Sequence, residues 1–371
     1  DVTYPDDLSV STSENNVGDA DVEYRIYCGD VLVASSTGSA PSGSYDFGAG
    51  TYTCIFNTSA GNFMNWTASS NIASTIATVE KGTPSGSLTI SPSWTVTYPT
   101  EVTVGYSESN QGDSDVSYDI YRDGVLVGAE TVELAAGSYN YILNTTGGEN
   151  WTSATLDTQT LTVNKGTPTL HFYADGTELT AGQSKTYIYP ATIEISITGC
   201  PIYGADDVYC KLYRNDTGEV YNSIGAHSFT YTFSPPAGSY KFTVNTTEGQ
   251  NWTVAEIDPT ITVVQGNVGV TLSWENITFG ESEVINCSAN NTDSTANLTL
   301  WINDSLVVSN QSSNPIINYT FDSLDWGAGW WKITCNISAT QNFTTASNEQ
   351  MLKVFKATPS LSIQFNTSTV V

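Results

Sequence analysis

Three short blocks recur along this chain in a fixed order, and that repetition limits the fold more than any single residue does. The first block reads Asp21-Val-Glu-Tyr-Arg-Ile-Tyr27, Asp115-Val-Ser-Tyr-Asp-Ile-Tyr121 and Asp207-Val-Tyr-Cys-Lys-Leu-Tyr213, with a diverged copy at Asn297-Leu-Thr-Leu-Trp-Ile302. The second is Ala49-Gly-Thr-Tyr52, Ala136-Gly-Ser-Tyr139, Ala237-Gly-Ser-Tyr240 and Ala328-Gly-Trp-Trp331. The third pairs Asn57-Thr-Ser with Asn65-Trp-Thr, Asn144-Thr-Thr with Asn150-Trp-Thr, Asn245-Thr-Thr with Asn251-Trp-Thr, and Asn336-Ile-Ser with Asn342-Phe-Thr. Lys81-Gly-Thr-Pro, Lys165-Gly-Thr-Pro and Lys356-Ala-Thr-Pro each open a new copy. The chain therefore divides into four repeats, residues 1–80, 81–164, 165–264 and 265–355, followed by a segment 356–371.

Within a repeat the apolar period is two. Val116, Tyr118 and Ile120 share one face, and Ser117 and Asp119 the other. Tyr139, Tyr141 and Leu143 likewise alternate with Asn140, Ile142 and Asn144. Half-buried strands read this way. Asp123-Gly124 lies between two such runs and predicts a two-residue hairpin. Gly29-Asp30, Asn215-Asp216-Thr-Gly218 and Asn303-Asp304 hold the equivalent turns. Short strands separated by turns predict an all-β chain of four tandem sandwiches. The Lys-Gly-Thr-Pro connections predict stiff joints, because proline restricts the backbone there.

The Ala-Gly-Ser-Tyr139 block, then Asn144-Thr-Thr with Asn150-Trp-Thr, then Leu161-Thr-Val-Asn-Lys165-Gly-Thr-Pro resemble the tandem bacterial immunoglobulin-like repeats of prokaryotic surface proteins. The resemblance covers essentially the whole chain and implies immunoglobulin-like sandwiches in a cell-surface setting. The dense glycosylation sequence is more similar to archaeal members. Such a fold often has a tyrosine corner, and Tyr52, two residues before Cys54, stands where one is expected.

Charge and composition narrow the partners. The 371 residues carry a formal charge of −27 with only eleven Lys and Arg, so nucleic acid and anionic membrane surfaces would be repelled. No apolar run is long enough to span a bilayer. The chain starts at Asp1 with no visible signal peptide, as expected of a mature form or of a segment of a larger protein.

Seventeen Asn-x-Ser/Thr sequons occur, at Asn57, Asn65, Asn144, Asn150, Asn215, Asn245, Asn251, Asn276, Asn286, Asn290, Asn297, Asn303, Asn310, Asn318, Asn336, Asn342 and Asn366. Chance would supply roughly seven. N-linked glycans and an extracellular location are the expectation. Asn144, opposite Tyr141 and Leu143, is expected to face solvent, and Asn57, Asn245 and Asn336 share its position.

The six cysteines sort by repeat into Cys28 with Cys54, Cys200 with Cys210, and Cys287 with Cys335. Only that pairing keeps every bridge inside one repeat. Cys287 falls early and Cys335 late in its repeat, as a bridge between two sheets requires.

Catalytic chemistry has little to draw on, and no enzyme is expected. His171 and His227 are the only histidines, and neither sits in a nucleophile–base pattern. An acidic motif recurs at Gly18-Asp-Ala-Asp21, Gly112-Asp-Ser-Asp115 and Gly204-Ala-Asp-Asp207. Its spacing could offer two oxygens to calcium, but a complete ligand set is absent, so a polar loop is the preferred reading and no cofactor is expected. Trp66, Trp151 and Trp252 recur in register, which fits a packing role better than a sugar platform.

The two ends complement each other. The second repeat runs from Lys81 to Trp94 before reaching Thr95-Val-Thr-Tyr-Pro99, whereas the chain opens at once on Asp1-Val-Thr-Tyr-Pro5. The first repeat thus lacks about one strand, and Leu8 and Val10 are expected to lack cover. The last segment supplies a strand with Leu361, Ile363 and Phe365 on one face and Ser362, Gln364 and Asn366 on the other. Burying those three side chains is worth roughly 5–8 kcal/mol gross, and ordering the segment costs a comparable amount. The expectation is a structural subunit of an extracellular filament or pilus-like fibre, joined head to tail to identical subunits by this donor strand. A surface adhesin binding carbohydrate or other cells, and an S-layer or stalk segment of a longer covalent repeat, are the alternatives.

Overall fold

The computed structural model describes residues 1–17, 20–59, 66–112, 114–202, 204, 206–224 and 227–364. Nearly every regular element is a strand; Ser323–Trp326 forms one short helix. The chain divides into two compact units, Asp1–Gly166 and Thr167–Val371.

The first unit holds two sandwiches. In one, a sheet ordered Val2–Thr3, Ser69–Glu80, Gly50–Thr58, Glu23–Cys28, Val31–Thr37 covers a pair made by Leu8–Ser11 and Ser42–Tyr45. In the other, a sheet ordered Val125–Leu126, Tyr118–Arg122, Gly137–Thr145, Ala154–Asn164, Thr95–Thr97 faces three strands, Glu130–Glu133, Glu101–Glu108 and Gly86–Ser91. The second unit repeats the plan twice. Its larger sheets end on Ser184–Ile188 beside Thr260–Val264 and on Ile277–Thr278 beside Ala346–Phe355. In all four sandwiches that edge pair is parallel.

Alternation builds these sheets as the sequence predicts. In Gly137–Thr145, Tyr141 and Leu143 are fully buried while Asn144 is only half-buried. Asp123 and Gly124 both take positive φ, 50° and 81°, the turn that matches strand twist in a tight hairpin. The tyrosine corner recurs. Tyr52 donates to Gly48 O, Tyr139 to Ala135 O and Tyr240 to Pro236 O, while Trp331 Nε1 donates to Gly327 O in the fourth sandwich.

The disulfides are Cys28–Cys54, Cys200–Cys210 and Cys287–Cys335. Cys287–Cys335 joins the two sheets, since its halves lie on Ser282–Ala289 and Gly329–Ile337. Cys28–Cys54 instead links directly opposed residues of neighbouring strands in one sheet. The second sandwich puts Arg122 opposite Tyr141 at the matching rung. There Glu130 Oε1 accepts from Arg122 Nη1 and Tyr141 Oη, each at 2.7 Å. A partly buried polar cluster thus occupies the place of a bridge.

Two expectations need correction. Leu8 is 3% exposed and already covered; it is Val10 that is only half-buried, where its counterpart Val104 is fully buried. Residues 356–364 form no strand, and Leu361 and Ile363 are 90% and 78% exposed. A lone segment has no ladder to pair with, so its backbone is left to water. Phe365 and Asn366 lie outside the described residues.

Candidate functional site

The first sandwich has an open slot where the others hold a strand. In the second sandwich Gly86–Ser91 pairs antiparallel with Glu101–Glu108, from Glu108↔Gly86 to Thr103↔Ser91. Leu88 is buried there, and its N–H donates to Asp157 Oδ2 at 2.8 Å. In the fourth sandwich Val270–Ser273 takes the same place, and Asn348 Nδ2 and Gln350 Nε2 donate to its carbonyls at Val270 and Leu272. In the first sandwich Leu8–Ser11 is paired only with Ser42–Tyr45. Between its other edge and Ala73–Ala77 runs a groove of about 470 Å³, lined in part by Val10, Ile26, Phe56, Ala73 and Thr75. Ile72 and Ile76 beside it are 50% and 68% exposed.

One asparagine position is held alike in the first two sandwiches. Asn110 clasps the lead-in to Gly86–Ser91. Its Oδ1 accepts the Ser85 N–H at 2.9 Å and its Nδ2 donates to Ser85 O at 2.8 Å. Asn110 is itself held by its N–H on Glu108 Oε2 and its Nδ2 on Tyr118 Oη. Asn16 has the same holders: its N–H donates to Glu14 Oε2 at 2.8 Å and its Nδ2 to Tyr24 Oη at 2.9 Å. Among the described residues no counterpart of Ser85 stands opposite it.

A second recurrent constellation joins sandwiches within each unit. Gly82 lies between the Tyr4 carbonyl and the Trp151 ring; a Cβ there would stand 2.3 Å and 2.8 Å from them. The Tyr4 and Trp151 rings meet edge-on at 5.2 Å, and both Tyr4 Oη and Trp151 Nε1 donate to Gln111 O. Asn150 Oδ1 accepts the Ala49 N–H at 2.8 Å across the boundary. Trp151 consequently belongs to the hydrophobic cluster of the first sandwich. The second unit repeats the ring pair, the asparagine bond and the crowded glycine. Tyr189 and Phe343 meet edge-on at 5.3 Å, Asn342 Oδ1 accepts the Ala237 N–H at 2.8 Å, and a Cβ on Gly266 would stand 2.1 Å from Tyr189 O. Space, rather than a positive φ, requires glycine at both positions. The close packing of these joints thus centres on a glycine and an Asn-aromatic-Thr tripeptide.

The recurrent aspartate supports this loop. Asp115 Oδ2 accepts the Glu149 N–H, Asp207 Oδ2 the Gln250 N–H at 2.7 Å, and Asp293 Oδ2 the Asn342 N–H at 3.1 Å. Burial pushes the Asp293 carboxyl up, but hydrogen bonds from Thr340 and Asn342 outweigh it and hold the group below the usual range. Sequence reading missed this role, because each Asp lies a different number of residues from its Asn-aromatic-Thr and only folding brings the two together. Gly18, Asp19 and Asp113 of the same motif lie outside the described residues, whereas Asp21 falls within them. Among the described residues no three His, Cys, Asp or Glu side chains converge on one point.

The sequon asparagines fall into distinct environments. Asn215, Asn276, Asn286, Asn290, Asn303 and Asn318 are exposed. Asn57, Asn144, Asn150, Asn245, Asn297, Asn310 and Asn336 are half-buried, and Asn251 and Asn342 are buried at 8% and 9% exposure. Asn65 and Asn366 lie outside the described residues. His171 pairs with Glu178 at 2.6 Å near the surface, and His227 Nδ1 lies 2.9 Å from Cys200 O. Trp151 is buried, whereas Trp66 is 37% exposed. No helix among the described residues is long and apolar enough to cross a membrane.

No family model and no curated protein matches the chain. Solved structures do. Sidekick-1 immunoglobulin domains 1–5 align over 96% of this chain and 78% of theirs, at 13% identity and a TM-score of 0.28. A Ca2+-stabilized adhesin with which an Antarctic bacterium binds ice aligns over 95% of this chain and 94% of its own, at 11% identity and a TM-score of 0.27. Surface layer protein SbsC, domains 1–6, aligns over 96% of this chain and 54% of its own, at 14% identity and a TM-score of 0.24. At such identities the likeness concerns the immunoglobulin-like sandwich fold alone.

Proposed function

We propose that this protein is a glycosylated extracellular structural subunit, assembled head to tail when the 356–371 segment of one copy fills the slot in the first sandwich of the next. The observation that carries the reading is the slot itself: an unpaired edge at Leu8–Ser11 over an apolar groove, with Asn16 held as Asn110 is held. The segment fits by pattern. Aligned on Pro84 and Pro359, Ile363 matches Leu88, and Leu361 matches Gly86, where an added Cβ would approach Leu156. Leu361 would then cover Ile72, and the Ser360 N–H would meet Asn16 Oδ1. Main-chain pairing supplies affinity and alternate side chains supply register. The charge of −27 and the surface sugars would keep neighbouring fibres apart.

The junction between copies would be looser than the internal joints. Ala357 stands where Gly82 and Gly266 stand, and a Cβ at those two glycines would come within 2.3 Å and 2.1 Å of a carbonyl oxygen.

A paired-cysteine test follows from register. Ser87 and Ser107 hydroxyls lie 3.1 Å apart, and their counterparts are Ser362 and Ser13. The Ser13→Cys, Ser362→Cys double variant should give a ladder in steps of the 39.8 kDa chain on a non-reducing denaturing gel, collapsing on reduction. Uncrosslinked monomer, or a monomer closed on itself, would overturn the reading. A single much larger species that survives reduction and deglycosylation would instead identify a longer covalent array.

A further inference from the structure

We propose that the sequons at Asn150 and Asn342 encode joint latches and carry no glycan, so that sugar is confined to asparagines outside the joints.

Every residue of these tripeptides already has a packing partner. The Asn150 carbonyl accepts the Gly82 N–H at 2.9 Å while its side-chain oxygen accepts the Ala49 N–H at 2.8 Å. Trp151 covers Gly82. The Thr152 N–H and Oγ1 both donate to Gly82 O, at 2.9 Å and 3.0 Å. At Asn342 the carbonyl accepts from Gly266, Oδ1 from Ala237, and Nδ2 donates to Asp293 Oδ1 at 2.7 Å. The Thr344 N–H donates to Gly266 O at 3.0 Å. Asn342 is buried with both side-chain polar atoms bonded, and half-buried Asn150 keeps its Nδ2 beside Gly112, so a bulky N-linked sugar on either nitrogen has to displace the joint.

The exposed sequons tether their oxygen in the same way but stand at the surface. Asn215, Asn276 and Asn303 each accept a backbone N–H on Oδ1, from Lys241, Lys353 and Lys332. The oxygen is tethered to a strand and the amide nitrogen is left to solvent, which orients a sugar outward. A glycan on a latch asparagine and a closed joint exclude each other, because both claim the same volume.

Two measurements test this on the full-length glycosylated protein. Peptide mass spectrometry should find glycan at Asn215, Asn276 and Asn303 and only unmodified peptide at Asn150 and Asn342; glycan at either latch position in folded protein overturns the proposal. Hydrogen exchange at Ala49 then separates a latch from a sugar site. Asn150→Asp keeps the acceptor oxygen and should retain wild-type protection, whereas Asn150→Ala should exchange about tenfold faster. Equal behaviour of the two variants overturns the latch.

Discussion

Replacing Gly82 with alanine should open the joint between the first two sandwiches. The new Cβ would stand 2.3 Å from Tyr4 O and 2.8 Å from a Trp151 ring carbon. An ordinary carbon–oxygen contact is about 3.3 Å or more, so the chains must part by about 1 Å. Overpacking of this kind costs about 1–3 kcal/mol. Withdrawal also strains the bonds from Gly82 N–H to Asn150 O and from Thr152 N–H to Gly82 O, worth about 1 kcal/mol each. The sum is about 3 kcal/mol, or roughly a 100-fold rise in the opening equilibrium. Hydrogen exchange by mass spectrometry reads that opening directly in peptides spanning 78–86 and 147–154. Gly137→Ala is the control, because its Cβ would sit 3.7 Å from Tyr139. Wild-type exchange in the Gly82→Ala variant would refute the claim that space at this glycine holds the joint shut.

The joint of the second unit should loosen in acid. The Asp293 pKa is depressed in the folded state, so its contribution is fully present above the unfolded carboxylate value and is lost as pH falls below it; exchange at Asn342 should accelerate below about pH 4, and Asp293→Asn should flatten that response. Burial, helped by the bond to Glu130 and opposed by Arg122, pushes the Tyr141 hydroxyl up to about 12. Its contribution is complete below about pH 10 and is lost as pH rises toward that folded value; alkaline titration should show this tyrosine ionising late, together with unfolding, and Tyr141→Phe should remove that late step. Replacing both Cys287 and Cys335 with serine should cost about 2–4 kcal/mol in urea unfolding, with Cys335 otherwise fully buried between the sheets.

Much of this architecture was legible because strands are local. The alternation of Tyr139, Tyr141 and Leu143, the Asp123-Gly124 turn, and the sorting of cysteines by repeat each depend on neighbours a few residues away. The Asn-aromatic-Thr tripeptides show the limit. As sequence, Asn150-Trp-Thr and Asn215-Asp-Thr are equally good sequons. In the fold one reaches Ala49 across 101 positions while the other tops a hairpin in solvent.

Periodicity and turn chemistry determined, with no coordinates, that this chain would be a row of β-sandwiches. Tertiary packing alone decided which glycine has no room for a methyl group, which aspartate steadies a loop, and which asparagine latches a neighbour. A strand's face is set by the pleat of its own backbone, whereas a joint is set by atoms that only folding brings within 3 Å of one another, as Ala49 and Asn150 are at 2.8 Å.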